Sequence, residues 1–166
     1  MNWKKLFNER RTDAIYNVRL PITWTDRILE FAALSTNLAM WVVAAILYRQ
    51  YVGQEVATHI KLSGQVDSTG DPSSMLFIAG MWTLVMLVIG FSAYRPRLIN
   101  PPTKITTVKQ LKLLVTQTRV LNIIIGIMGI CILLAMVYGE VAWVMIPAIL
   151  LFALIIVYSI LIRKAR

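Results

Sequence analysis

The stretch HIKLSGQVDSTGDPSS, residues 59–74, holds the single histidine of the chain, with Asp67 eight residues beyond it. An imidazole and a carboxylate in one loop could exchange a proton or share a metal ion, with Glu55, Asp71 and Glu140 as further carboxylates expected on the same side of the membrane. A metal site needs several ligands at compatible spacing, however, and one histidine among scattered carboxylates does not form that pattern. The chain also has no His-Glu-x-x-His, no Gly-x-Ser-x-Gly and no phosphate-cradling glycine loop. Cys131 stands alone in an apolar run, which excludes an intrachain disulfide and a cysteine-based metal centre. No catalytic residue, metal ligand or cofactor is expected. His59 is left with two uses: hydrogen bonding inside its loop, or contact with a partner or ligand.

The elements that carry this loop follow from composition. Of the 166 residues 58% are hydrophobic and the mean hydropathy is +0.68, against roughly 45–50% apolar residues in a soluble domain. The surplus must face lipid. A bilayer core needs about 20 helical residues, and residues 28–48, 75–94, 120–138 and 141–162 qualify or nearly qualify. The first run is longer than the core of a signal peptide and reads as a retained span. No run has an ionised side chain at its middle, and Glu30, in the first turn, is expected to reach the headgroups. Proton pumps, voltage sensors and ion-coupled carriers usually need such a central charge, so these functions lose weight.

The net charge of +9 raises nucleic acid as a partner, but the basic residues lie outside the apolar runs and favour a membrane. Residues 1–27 hold six Lys or Arg, residues 95–119 hold six and the tail three, against Arg49 and Lys61 in the two opposite loops. Cytoplasmic loops accumulate basic residues. The expectation is therefore an all-α, polytopic membrane protein, with four transmembrane helices, both termini cytoplasmic and an ordered extracytoplasmic loop between helices 1 and 2. It divides into a basic cytoplasmic segment, 1–27, and a transmembrane domain, 28–166. Trp3, Leu6, Phe7 and Ile15 among the basic residues of the first segment suit either a lipid surface or an ordinary positive flank.

Local signals refine the helices. Thr23 with Asp26, and Thr107 with Gln110, have capping-box spacing, while Asp71-Pro72 reads as an N-cap followed by proline at the first helical position. Val108, Leu111, Leu114 and Val115 recur at helical spacing and predict one helix over 107–138, roughly 48 Å long. Gly139 and Glu140 leave a tight turn before the last helix, in which Pro147 predicts a kink or a late start. In the polar loop, residues 59–63 alternate polar and apolar, and Gly64, Asp67 and Gly70 have turn chemistry, so a short extended segment and a reversal are expected. Ser35, Thr36 and Asn37 suit interhelical hydrogen bonds, with Thr83 and Asn122 the further candidates for a polar path. Gly126 and Gly129 suit close packing within the bundle. Trp82 is too deep for the interfacial aromatic belt.

The order His59, Gly64, Asp67, Gly70 between a first and a second span resembles a bacterial membrane domain of unknown function whose loop reads P-x-x-I-P-x-H-x-x-x-x-G-x-x-D-x-x-G-S-K. That domain also forms the first part of SdpI-like proteins, membrane receptors that confer immunity to a secreted killing peptide and signal its presence. Residues 100–122, NPPTKITTVKQLKLLVTQTRVLN, are similar to the region after the second span in short, stand-alone members typical of Bacteroidetes. Gly53 and Ala57 stand where the family has prolines, Gly70-Asp71-Pro72 stands where it has Gly-Ser-Lys, and the second half of the SdpI-like receptors has no counterpart. The resemblance implies a non-enzymatic accessory, sensing or immunity-type protein of the bacterial inner membrane. Its loop 53–74 would use His59, Gly64, Asp67 and Gly70 to recognise an extracytoplasmic peptide, a ligand or another membrane protein. The alternative is a small oligomeric transporter or channel subunit. Beyond the lipid bilayer no partner is named, and nucleic acid is not expected.

Overall fold

The computed structural model describes residues 15–61, 63–101 and 103–165. Four helices, α1 (Trp24–Tyr51), α2 (Ser73–Tyr94), α3 (Val108–Tyr138) and α4 (Ala142–Lys164), are joined by a hairpin of β1 (Val56–Ile60) and β2 (Val66–Gly70), a 3-10 turn at Pro96–Leu98, and a tight turn at Gly139. Each helix is long and apolar enough to cross a membrane. Their outward faces are apolar as well: Phe31, Phe77 and Phe152 are 71%, 70% and 66% exposed, an arrangement that water penalises and lipid does not. The chain has the build of a multi-pass membrane protein. The all-α expectation needs one amendment, because the extended segment foreseen in the polar loop pairs into a two-stranded antiparallel sheet.

The helix ends are where the sequence places them, for the reasons it offers. At α1 the Asp26 N–H donates to Thr23 Oγ1 at 3.3 Å, while the Asp26 carboxylate takes the Thr23 N–H at 2.8 Å. The box at Thr107 is tied to a second helix. Gln110 Oε1 takes the Thr106 and Thr107 N–H groups at 2.8 and 3.2 Å, its Nε2 donates to Ile162 O at 2.9 Å, and the Thr107 hydroxyl donates to Ala165 O at 3.2 Å. The start of α3 thereby satisfies backbone carbonyls that the end of α4 leaves without helical partners.

At α2 the regular helix begins at Ser73, yet Pro72 already has helical angles, φ −57° and ψ −20°, and Asp71 Oδ1 accepts the Ser73 N–H at 2.7 Å. Asp71 therefore caps the helix as Asp-Pro predicts. Ser73, through its side chain and then its N–H, holds the Asp71 carboxyl below the usual carboxylate range. The cap's contribution is thus present above the ordinary carboxylate pKa and fades as pH falls through the lowered one. Helix α3 runs unbroken for 31 residues and ends on Gly139 at φ +68°, the left-handed cap that glycine permits. Helix α4 starts at Ala142, ahead of Pro147, so the late start does not occur and the proline lies within the helix.

Helix α3 is the axis of the bundle: α1, α2 and β1 pack on it, and α4 rests chiefly on it. Gly126 and Gly129 allow the approach. A Cβ at Gly129 would stand 2.5 Å from Met40 Sδ and Trp82 Cδ1, and one at Gly126 would overlap Thr36 and Met86. At one end of the bundle Met40, Ala44, Leu47, Met75, Ala79, Leu133 and Met136 form a core with Val56 of the hairpin. At the other end Ile105, Leu111, Leu114 and Ile162 form a second core. Ile15 packs against this second core, which is protein rather than a lipid surface. Trp3, Leu6 and Phe7 of the amino-terminal segment lie outside the described residues.

Candidate functional site

The hairpin presents the residues that the sequence singles out. Its strands pair Val56 with Gly70, Ala57 with Thr69, His59 with Ser68 and Ile60 with Val66. Asp67 is thus an extra residue between the partners of His59 and Ile60, a bulge that re-aims its side chain. Its carboxylate meets both basic groups of the first arm, His59 Nδ1 at 3.2 Å and Lys61 Nζ at 2.8 Å. The turn closes through Gly64 N–H to Lys61 O and Lys61 N–H to Gln65 O, each 2.9 Å, with Gly64 at φ +85°, a conformation that side chains resist. At Gly70 a Cβ would stand 2.9 Å from the Thr58 methyl group. The Thr58 and Ser68 hydroxyls meet across the strands at 2.9 Å, and Thr69 donates to Glu55. Val56 and Ala57 are buried against the bundle, 3% and 7% exposed. The structure therefore brings His59 and Asp67 together and gives Gly64 and Gly70 conformational and steric roles. The result is a rigid polar projection on an apolar root.

A second constellation lies at the opposite end of the bundle, where the sequence suggested only flanking charge. Arg119 of α3 is turned inward and 7% exposed. Its Nη1 donates to Asp26 Oδ1 and its Nε to Glu30 Oε1, both at 2.9 Å, and its guanidinium lies 5.6 Å from the centre of the Tyr94 ring. Asp26 thus serves two structures at once, with Oδ2 in the α1 cap and Oδ1 on the arginine. Glu30 pairs inside the bundle rather than reaching the headgroups, and Arg119, counted above as a flanking charge, is an internal ion. Asp26 and Glu30 stand four residues apart, hence on one face of α1. That spacing was the available signal, but nothing local links it to an arginine some ninety residues away.

Between α1 and α2, and floored by α3, runs a groove of about 540 Å³ bounded at this end by Glu30, Tyr94 and Arg119. Asn37, Thr83 and Asn122, three of the polar residues of the spans, line it. Asn37 Nδ2 donates to Thr83 Oγ1 at 3.1 Å, Trp41 Nε1 donates to the same oxygen at 2.9 Å, and the Thr83 hydroxyl donates to Ala79 O at 2.8 Å. This is the interhelical bonding expected of Asn37. Thr36 instead bonds back to Ala33 O within its own helix, and Ser35 points outward. Trp82 donates to Ile125 O at 2.6 Å, within the bundle. Asn122 is 9% exposed, lines the groove, and has an Oδ1 with no hydrogen-bond partner among the described residues. No cluster of three His, Cys, Asp or Glu able to hold a metal ion occurs among the described residues. Comparison of the chain with protein-family models, with curated proteins and with solved structures finds no match.

Proposed function

We propose that this is a non-enzymatic membrane protein of the accessory, sensing or immunity type, oriented with both termini in the cytoplasm, whose hairpin meets a peptide or a partner membrane protein outside the inner membrane. The observation that carries this reading is the hairpin itself. A loop that only reverses the chain needs neither a paired register nor a buried apolar root. This one holds His59, Lys61 and Asp67 in fixed relation, 63%, 52% and 44% exposed at their side chains, so a partner would meet them with little ordering cost. The excess of basic residues at the opposite end supports the orientation, and the loop's likeness to the family of the SdpI-like receptors supports the class. A second reading, a small transporter working as an oligomer, draws support from Asn37, Thr83 and Asn122, which line the groove between α1 and α2.

The test uses the full chain in cells. In a Cys131→Ser background, Gln65→Cys should react with a membrane-impermeant maleimide in cells whose inner membrane is intact, and reaction only after lysis would overturn the orientation. A photoreactive residue at position 68 should give a discrete adduct that Asp67→Ala abolishes. No adduct, or one indifferent to Asp67, would remove the recognition role. Substrate flux through liposomes containing the pure protein would favour the transporter instead.

A further inference from the structure

We infer that the cavity enclosed by residues 16–22, the start of α1, the end of α2 and α3 is a binding site for a phosphate group, carried by an anionic lipid or by a soluble phosphate ester, with Arg19 and Lys112 as its principal contacts. This inference concerns the end of the bundle away from the hairpin and does not depend on the hairpin's role.

The cavity holds about 290 Å³, and Tyr16, Arg19, Asp26, Tyr94, Lys112 and Arg119 are among the residues that line it. Its outer wall is anchored. Ile15, Tyr16 and Leu20 pack against the core of Ile105, Leu111, Leu114 and Ile162, which holds Asn17 and Arg19 at the surface between fixed neighbours, and Pro21 restricts the backbone as the chain turns toward α1. The acceptors at this cavity are already taken. Asp26 gives Oδ2 to the Thr23 cap and Oδ1 to Arg119 Nη1, and Asn17 Oδ1 accepts from Arg97 Nη2 at 2.5 Å. The donors are not. Arg19 and Lys112 make no ion pair or side-chain hydrogen bond among the described residues, and burial pushes the Tyr16 phenol above its ordinary range, so it keeps its proton. Charge agrees with this count. Arg19, Arg97, Lys112 and Arg119 outnumber Asp26 and Glu30, both of which are drawn onto Arg119 at 2.9 Å. Residues 1–14 carry four basic and two acidic side chains, so as a segment they add to the excess. Arg19 and Lys112 reach the cavity from different elements, which suits a group whose acceptor oxygens point in several directions better than a planar carboxylate. The depth fits as well: α1 begins at Trp24 and α2 ends at Tyr94, so the cavity lies where spanning helices leave the hydrocarbon core and meet headgroups.

The experiment is native mass spectrometry of the full chain in a nonionic detergent, titrated separately with phosphatidylglycerol, with phosphatidylcholine of the same acyl chains and with glycerol 3-phosphate. One saturable adduct of phosphatidylglycerol or of glycerol 3-phosphate is expected. Phosphatidylcholine should bind about tenfold more weakly or worse, because its choline cation would face Arg19 and Lys112. Binding of phosphatidylglycerol without glycerol 3-phosphate assigns the phosphate to a lipid, and the reverse assigns it to a soluble ester. Arg19→Gln with Lys112→Gln, both at exposed positions, should weaken the adduct by about tenfold or more. Lys109→Gln with Arg163→Gln, the same change of charge at exposed positions outside the cavity, should leave it unchanged. The absence of any saturable adduct, phosphatidylcholine binding as tightly as phosphatidylglycerol, or equal losses in the two double variants would overturn the inference, the last by reducing the cavity to part of a diffuse basic surface.

Discussion

The two ends of the bundle set basic groups against carboxylates in opposite surroundings. At the hairpin end Asp67 takes Lys61 at 2.8 Å and His59 at 3.2 Å, all in the open. At the other end Arg119 takes Asp26 and Glu30 at 2.9 Å with its own side chain only 7% exposed. The geometries are alike, but their energies are not. An exposed pair gains little over hydration and is worth about 0–1 kcal/mol. A buried pair gains little over a well-packed apolar replacement, yet removing one partner strands an unpaired ion and costs about 3–5 kcal/mol. The exposed cluster thus fixes the aspect that a loop presents, whereas the buried one constrains how three helices meet.

This contrast can be broken by substitution. The largest effect is expected from Arg119→Ala or Asp26→Ala, each destabilising the purified protein by about 3–5 kcal/mol in a denaturant titration. Replacing the whole cluster, Asp26→Asn with Glu30→Gln and Arg119→Met, should recover much of that loss, since asparagine still caps α1 and no charge is stranded. Thr107→Ala comes next. It removes a cap that also holds the end of α4, and should cost about 1 kcal/mol or somewhat more, read from the same titration. Asp67→Asn should change stability by less than about 1 kcal/mol, and by less still at high salt.

How much of this could be read beforehand depended on the reach of each signal. The caps at Thr23 and Thr107, the continuous helix from Val108 and the glycine end at Gly139 depend on neighbours within a few residues and were legible. So was the reversal at Gly64. The bulge that aims Asp67 at both His59 and Lys61 was not, because register is settled by how the root of the hairpin meets α3. Arg119 misled for a similar reason. Counted along the chain it belongs to a basic flank, and only the packing of α1 against α3 turns it inward. The groove is an effect of how α1 and α2 diverge over α3, which no single segment encodes, although Asn37, Thr83 and Asn122 could be picked out as the polar residues of the spans.

The central claim, that one ionic cluster supports the fold and the other is displayed, is tested most directly by two double-mutant cycles in one lipid environment. One pairs Asp26→Ala with Arg119→Ala, the other Lys61→Ala with Asp67→Ala, each followed by unfolding. The account predicts a coupling of about 2 kcal/mol or more for the first and under about 1 kcal/mol for the second. Equal couplings, or a larger one at the hairpin, would contradict it.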